Sequence, residues 1–268
     1  MKRNLTCLAA TLILSLGVSA HANITGQWDF NSGDLSATVG TALAYRGDTA
    51  ATTSFTSTTI GGNPANVMNF PAATQLQGYT MTHGMSPNGG SGTYVNQWTL
   101  IMDINMPSAT SGSWRALLQS NQANGNDSDI WVNPSNAIGI GGGYNGTLTL
   151  DTWHRLAFVF DASSLTFGDN SCREFIDGVL VGVKVGVTHD GTYGLDPTAL
   201  LFTDNDGETS YGSVNSIQIH DTLLSDSYIA GLGGATAAGI TAVPEPASGL
   251  LLVASMVLLG VRTVRQRK

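Results

Sequence analysis

Apolar residues recur at every second position in short stretches along this chain. The segments 97–105 and 153–160 show the alternation most clearly, with Trp98, Leu100, Met102 and Ile104 in the first of them. Alternation of this period places the apolar residues on one face of a β-strand. Helical periodicity is scarce, and Gly, Asn, Asp and Ser separate the apolar stretches. The pattern therefore predicts an all-β, antiparallel two-sheet sandwich.

Ten strands follow from the pattern, together with one hairpin turn and one helix. The predicted strands span residues 24–30, 67–70, 97–105, 114–119, 137–140, 153–160, 173–176, 179–185, 200–203 and 214–220. Asp177-Gly178 predicts a tight two-residue turn between two of them. A helix is expected at 225–232, with Ser225 as its N-cap and Asp226 in the first turn. No internal repeat is visible.

The N-terminus has the pattern of a secretory signal peptide. Lys2 and Arg3 precede an apolar stretch at 5–18, and Ala20 and Ala22 form a small-residue Ala-x-Ala cleavage site. We expect cleavage after Ala22, so that residues 1–22 are removed. The alternative, a buried N-terminal helix, is disfavoured because no polar face interrupts 8–16.

The C-terminus combines three features in order. The motif Val243-Pro244-Glu245-Pro246 precedes an apolar stretch at 247–261, and Arg262, Arg265, Arg267 and Lys268 follow. A helix over 247–264 rises about 27 Å, close to the thickness of a bilayer core. The basic tail at 265–268 should stay cytoplasmic.

This order of motif, helix and basic end resembles the PEP-CTERM sorting signal of Gram-negative bacteria. The resemblance implies recognition by an exosortase-type membrane protease and export associated with extracellular polysaccharide. A C-terminal membrane anchor that is never processed is the alternative. Both place the large central part of the chain in the cell envelope, at the cell surface or in the extracellular matrix.

Charge distinguishes the centre of the chain from its ends. Residues 23–242 hold five cationic and eighteen acidic side chains, a net charge of −13, whereas the whole chain has −8. Such a surface repels phosphate backbones, which argues against a nucleic-acid partner. Cys172 is the only cysteine in this part, so no intramolecular disulfide can form within it. We expect Cys172 to be a small buried residue, with a reactive thiol as the alternative.

Four segments resemble concanavalin A-like, laminin-G-type domains. They are 24–30 as the opening strand, Trp153-His154-Arg155 with the apolar strand after it, 174–182 with the Asp-Gly hairpin, and 215–225 as the closing strand leading into a Leu-Ser helix start. The resemblance implies a jelly-roll sandwich of roughly twelve strands over 23–236, followed by a linker at 237–246. It does not settle function, because lectins, adhesion modules and glycanases share this fold.

No catalytic residue is predicted. Glycanases of this fold carry Glu-x-Asp-x-Glu on one strand, and a glycosidase needs two carboxylates at a defined separation. The only glutamates in residues 23–242 are Glu174 and Glu208, and neither has an acidic partner at that spacing. An aspartate pair assembled from distant loops stays open.

The loop with Asp204, Asp206 and Glu208 is the candidate metal site. Its alternating oxygen donors, turned by Gly207, suit a hard cation such as calcium. Laminin-G-type domains often carry calcium at the sandwich rim, so the resemblance supports this expectation. A solvated turn in which Asp and Asn satisfy their own backbone is the alternative. A second acidic loop, at 124–129, could join the same rim.

Trp131 and Tyr144 are the candidate residues for stacking on a sugar ring, with packing in the core or rim as the alternative. The leading hypothesis is a non-catalytic surface module that binds a glycan or matrix component, assisted by calcium. The alternatives are a structural exopolysaccharide or biofilm matrix component without a specific ligand, and a divergent glycoside hydrolase. The expected partners are the exosortase-type protease, a polysaccharide or surface glycan, and the membrane through the C-terminal helix.

Overall fold

The structure, a computed structural model, describes residues 23–90 and 92–241. The described residues form fifteen strands and one α-helix, α1, at Asp226–Leu232. The strands are β1 Ile24–Trp28, β2 Ala44–Arg46, β3 Ser54–Ile60, β4 Asn63–Phe70, β5 Gly78–Thr82, β6 Gln97–Asn105, β7 Arg115–Gln119, β8 Ile130–Val132, β9 Ile138–Ile140, β10 Gly143–Asn145, β11 Trp153–Asp161, β12 Ser171–Ile176, β13 Val179–Val185, β14 Thr198–Leu201 and β15 Gly212–His220. The predicted signal peptide, sorting motif and membrane helix lie outside the described residues. Within them, no helix has the length and apolarity to cross a membrane.

The strands form two antiparallel sheets, which confirms the predicted all-β, two-sheet sandwich. One sheet has the order β13-β12-β11-β6-β15-β4-β3, with β1 pairing along part of β15. The other has the order β10-β9-β8-β7-β14-β5-β2. Each of the ten predicted strands overlaps an observed one. The pattern missed β2, β3, β5, β8 and β10, because four of them have only three to five residues and β3 is a Ser- and Thr-rich edge strand.

The main core lies between the two sheets and contains the alternating residues of β6. Trp98 stacks on Phe160 of β11 with ring centroids 4.0 Å apart, and its indole Nε1 donates to the carbonyl of Tyr193 at 3.0 Å. The opposite face of β6 and β11 is also buried, under α1. The predicted N-cap of this helix is confirmed, because Ser225 Oγ accepts from the backbone N–H of Tyr228 at 3.1 Å.

The hairpin between β12 and β13 turns at the predicted dipeptide. Asp177 and Gly178 both have positive φ, 51° and 81°, as a two-residue hairpin turn of this type requires. Asp177 Oδ1 also accepts the backbone N–H of Arg155 at 2.8 Å, and its Oδ2 lies 2.7 Å from His154 Nδ1. Cys172 in β12 is fully buried, as expected, and burial raises the pKa of its thiol.

The first residues of the predicted linker at 237–246 also pack against the sandwich. Ile240 is 1% exposed and joins the cluster under α1. Arg155 holds this segment in place by donating to the carbonyls of Leu232 at 2.8 Å and Gly239 at 3.0 Å, while Nε and the nitrogen shared with Gly239 donate to Asp103. The segment up to Ile240 is thus held by a buried charge network that local sequence does not reveal.

Candidate ligand-binding site

Residues from four connections of the smaller sheet line a pocket of about 660 Å³. The connections are the β7–β8 connection at 120–129, the β9–β10 turn at 141–142, the β13–β14 connection at 186–197 and the β14–β15 connection at 202–211. The turn consists of Gly141 and Gly142, both with positive φ, so this part of the rim carries no side chain. The pocket is open to solvent and mostly polar in its lining.

The two acidic loops form one wall of this pocket because hydrogen bonds join them directly. Asp204 Oδ1 accepts the backbone N–H of Ser128 at 2.8 Å, and Ser128 Oγ donates to the carbonyl of Thr203 at 2.6 Å. Asn124 Nδ2 donates to Thr203 Oγ1 at 3.1 Å. The loops are about seventy-five residues apart in the chain, so only the fold brings them together.

The predicted metal ligands Asp204, Asp206 and Glu208 do cluster. One carboxylate oxygen from each lies within 4.8 Å of the others. Asp204 is fully buried, and its Oδ2 accepts the backbone N–H groups of Asp206 at 3.2 Å and Glu208 at 3.3 Å. A hydrogen bond shared with Asp204 raises the pKa of Asp206, and partial burial with the nearby Asp206 charge raises the pKa of Glu208.

This donor set fits a hard cation as three of the six to eight oxygen ligands that calcium takes. Asp206 is exposed and Glu208 half-exposed, so solvent could supply the remaining ligands. Asp204 already accepts three backbone N–H bonds, and this bonding organises the turn by itself. Both expectations for this loop, a cation site and a self-satisfied turn, are compatible with these contacts.

The two predicted stacking residues differ in accessibility. Trp131 borders the pocket but is only 4% exposed, and its indole Nε1 donates to the carbonyl of Ser128 at 2.7 Å. Its ring meets Trp114 edge-on, and Trp114 in turn meets Tyr144 edge-on, with centroids 5.5 and 5.2 Å apart. Tyr144 is half-buried and also borders the pocket. Of the two predicted residues Tyr144 is therefore the accessible one, and Trp131 supports it through Trp114.

Two further pocket residues were not singled out from the sequence. Asp129 is 2% exposed; its Oδ2 accepts the backbone N–H of Ser120 at 2.6 Å, whereas its Oδ1 has no hydrogen-bond partner among the described residues. Burial raises the pKa of this carboxyl to about 7. Tyr193 stacks on Phe160 at 5.6 Å and places its hydroxyl beside Gly141. In the sequence Asp129 belongs to an acidic loop that looks uniformly solvated, and no local signal marks it as buried.

A smaller pocket of about 270 Å³ continues from the first one. The two pockets share Asn126 and Thr192, which are both exposed. Asp190 and Asp196 border the smaller pocket. Together the pockets form a groove, called the rim groove below.

The fold of the described residues is similar to that of several solved β-sandwich domains. No protein-family model and no curated protein matches the chain. Domain 4 of a GH43 extracellular arabinanase from Geobacillus stearothermophilus, solved in complex with arabinotriose, has a TM-score of 0.52 at 16% identity, over 78% of this chain and 97% of that domain. The botulinum neurotoxin type G receptor-binding domain has 0.52 at 8% identity, over 78% and 50%.

The binding domain of Paraclostridial mosquitocidal protein 1 gives a TM-score of 0.51 at 14% identity, over 78% of this chain and 51% of that one. This chain thus spans about half of each toxin domain and nearly all of the arabinanase domain. At these identities the similarity establishes the β-sandwich fold alone.

Proposed function

We propose that this chain is an exported, non-catalytic module of laminin-G-like type that binds a glycan in the rim groove. The observation that carries the proposal is the pocket itself, in which the half-buried rings of Tyr144 and Tyr193 stand among amide, hydroxyl and carboxyl groups. Sugar recognition needs both an apolar surface for a ring face and hydrogen-bonding groups for hydroxyls. Tyr144 supplies the first, and Asn126, Thr192 and Asn205 supply the second.

The comparisons support this proposal without deciding it. The arabinanase domain was solved with arabinotriose bound, and its entire length is similar in fold to this chain. The toxin domains are receptor-binding or binding domains by name. A fold that presents loops at its rim suits recognition, because a rigid sandwich holds loop residues in position.

Glycan binding by the full chain, purified in detergent, tests the proposal. We expect binding to one class on an array of neutral polysaccharides, with Tyr144→Ala about tenfold weaker, or about 1.4 kcal/mol. Tyr211→Ala is the matched control, because Tyr211 is 47% exposed and lies outside the groove. Absence of binding at millimolar sugar would favour the alternative of a structural matrix component without a specific ligand.

A divergent glycoside hydrolase is the second candidate, and Asp129 is the observation that favours it. A carboxyl with a pKa of about 7 holds a proton near neutral pH, as a general acid must, and the exposed Asp127 lies in the same pocket wall. Release of reducing ends from a bound polysaccharide, abolished in Asp129→Asn, would establish this activity. A polysaccharide that is bound and left intact supports the binding module instead.

Export and sorting complete the proposal. The signal peptide over 1–22 and the motif Val243-Pro244-Glu245-Pro246 support secretion followed by recognition by an exosortase-type protease. Replacing Pro244, Glu245 and Pro246 with alanine should leave the chain in the membrane fraction at its unprocessed size. Normal processing of that variant would refute recognition of the motif.

A further inference from the structure

We infer that the rim groove takes a neutral, hydroxyl-rich glycan and excludes anionic ones, with the buried Asp129 as its hydrogen-bonding anchor. The inference deepens the proposed function and rests on it. It follows from the signs of the charges around the groove and from one unpartnered buried oxygen atom.

Every charged residue that borders the groove is an acid. Asp127 and Asp129 border the larger pocket, and Asp190 and Asp196 border the smaller one. Glu208 stands close enough to Asp127 for that charge to raise its pKa. A ligand carboxylate or sulfate placed here would meet like charges on both halves of the groove, and such repulsion acts over about 8–10 Å at physiological salt.

The cations that could offset this field are engaged elsewhere. Among the described residues Arg115 and Arg155 are buried, and Arg115 donates to Asn133 and Asn136 while Arg155 pairs with Asp103. Two further arginines have partners outside the groove. Arg173 pairs with Asp226, and Arg46 donates to the carbonyls of Gln75 and Gln77.

Lys184 packs against Gly143 of β10 and lies near Glu174, where burial raises the pKa of the carboxyl to about 7 and the lysine charge opposes that shift. No lysine or arginine borders either pocket of the described chain. An anionic sugar therefore has no counter-charge in the groove.

Asp129 and Asn205 border the groove, and each has a buried side-chain oxygen that no described residue contacts by a hydrogen bond; of the two, Asp129 is the carboxyl group. Its Oδ1 is buried and unpartnered, although a buried polar atom without a partner is costly. The backbone N–H of Ser120 fixes the carboxyl orientation through Oδ2. A sugar hydroxyl donating to Oδ1 would satisfy that atom. A neutral ligand satisfies it without bringing a negative charge into the acidic groove.

The test compares neutral polysaccharides with the same polymers after oxidation of their C6 hydroxyls to carboxylates. For the glycan that the full chain binds, we expect the oxidised form to bind at least about tenfold more weakly at low salt, with a smaller ratio at high salt. Equal or tighter binding of the oxidised form, with or without calcium, overturns the inference. If neither form of any glycan binds, the proposed function itself fails.

Two variants locate the effect in the groove. Asp127→Asn should narrow the ratio of neutral to oxidised binding by more than about twofold, because it removes one exposed negative charge. Asp34→Asn makes the same change in net charge at an exposed site outside the groove and should leave the ratio unchanged. Equal effects of the two variants would mean that the overall charge of the protein, and not the groove, discriminates neutral from oxidised glycans.

Asp129→Asn tests the anchor. The N–H of Ser120 requires an oxygen acceptor, so the amide oxygen should face Ser120 and the amide NH₂ should replace Oδ1. We expect binding of the neutral glycan to weaken at least about tenfold while the fluorescence unfolding curve stays cooperative. If this folded variant binds the neutral glycan with unchanged affinity, Asp129 is not the anchor. Unchanged affinity in Asp129→Ala would lead to the same conclusion.

Discussion

The buried pair of Arg155 and Asp103 supports the sharpest prediction about stability. The guanidinium Nε lies 2.7 Å from Asp103 Oδ1, and a second nitrogen lies 2.8 Å from Oδ2. The side chains are 3% and 0% exposed. Arg155 also donates to two carbonyls of the segment that closes the domain, Leu232 and Gly239. Removing the arginine therefore leaves a buried carboxylate without its counter-charge and releases the last turn.

We expect Arg155→Met to lower the free energy of unfolding by about 3–5 kcal/mol, the usual cost of breaking a buried pair from one side. A domain of this kind has about 5–15 kcal/mol in total, so the loss is large. All five tryptophans lie between residues 28 and 153, within the sandwich, so urea unfolding of the full chain can be followed by tryptophan fluorescence. Asp226→Asn, at the more exposed pair with Arg173, should cost at most about 1 kcal/mol.

The cost should also depend on pH in a defined direction. Burial raises the pKa of Asp103, and Arg155 opposes that shift. Without Arg155 the folded variant holds a proton on Asp103 that the unfolded chain releases at lower pH, so its stability falls as pH rises above the unfolded pKa. The loss caused by Arg155→Met should therefore be larger at pH 8 than at pH 5. A loss below 1 kcal/mol at both pH values would refute the reasoning.

Three further predictions concern the groove and the hairpin. Asp129→Asn should stabilise the fold by at most about 4 kcal/mol at pH 8, because the parent loses stability as pH rises towards the raised pKa of about 7. The gain should shrink as pH falls towards 4, and a constant gain across this range would contradict the prediction. In chelator, Asp206→Asn should raise the midpoint of thermal unfolding by relieving the repulsion between Asp206 and Glu208. Added calcium should raise the midpoint of the parent more than that of the variant, and equal shifts would argue against the cation site. Gly178→Val should destabilise the β12–β13 hairpin, because φ is 81° and the backbone of Ala230 lies 3.1 Å from an added Cβ; an unchanged urea midpoint would contradict this.

The two carboxyl oxygens of Asp129 differ, since Oδ2 has a hydrogen-bond partner and Oδ1 has none among the described residues. A buried carboxyl with one satisfied and one unsatisfied oxygen lowers stability, and groups of this kind are retained where they contact ligand. The same substitution should thus stabilise the protein and weaken glycan binding. Observing both effects in one variant would separate a binding role from a purely structural one.

The sequence alone determined the fold class, because alternation of apolar residues is a local property of a strand. In residues 97–105 and 156–160 an apolar residue stands at every second position, and each segment lies in a central strand. The Asp177-Gly178 turn and the Ser225 cap were equally readable, because their backbone conformations depend on one or two residues. Short strands such as β8 and β10 were not, since three residues carry too little pattern.

Only the tertiary structure decided which of the loop residues form a site. The contact between Ser128 and Asp204 brings together loops that lie far apart in the sequence, and Asp129, which follows Ser128, is 2% exposed in that arrangement. Trp131 shows the same limit, because its neighbours in sequence suggest exposure while Trp114 and Ser128 bury it. The spacing of apolar residues is a property of the local sequence, whereas burial and charge environment arise from long-range packing. The β-sandwich could therefore be predicted from the sequence, and the groove could not.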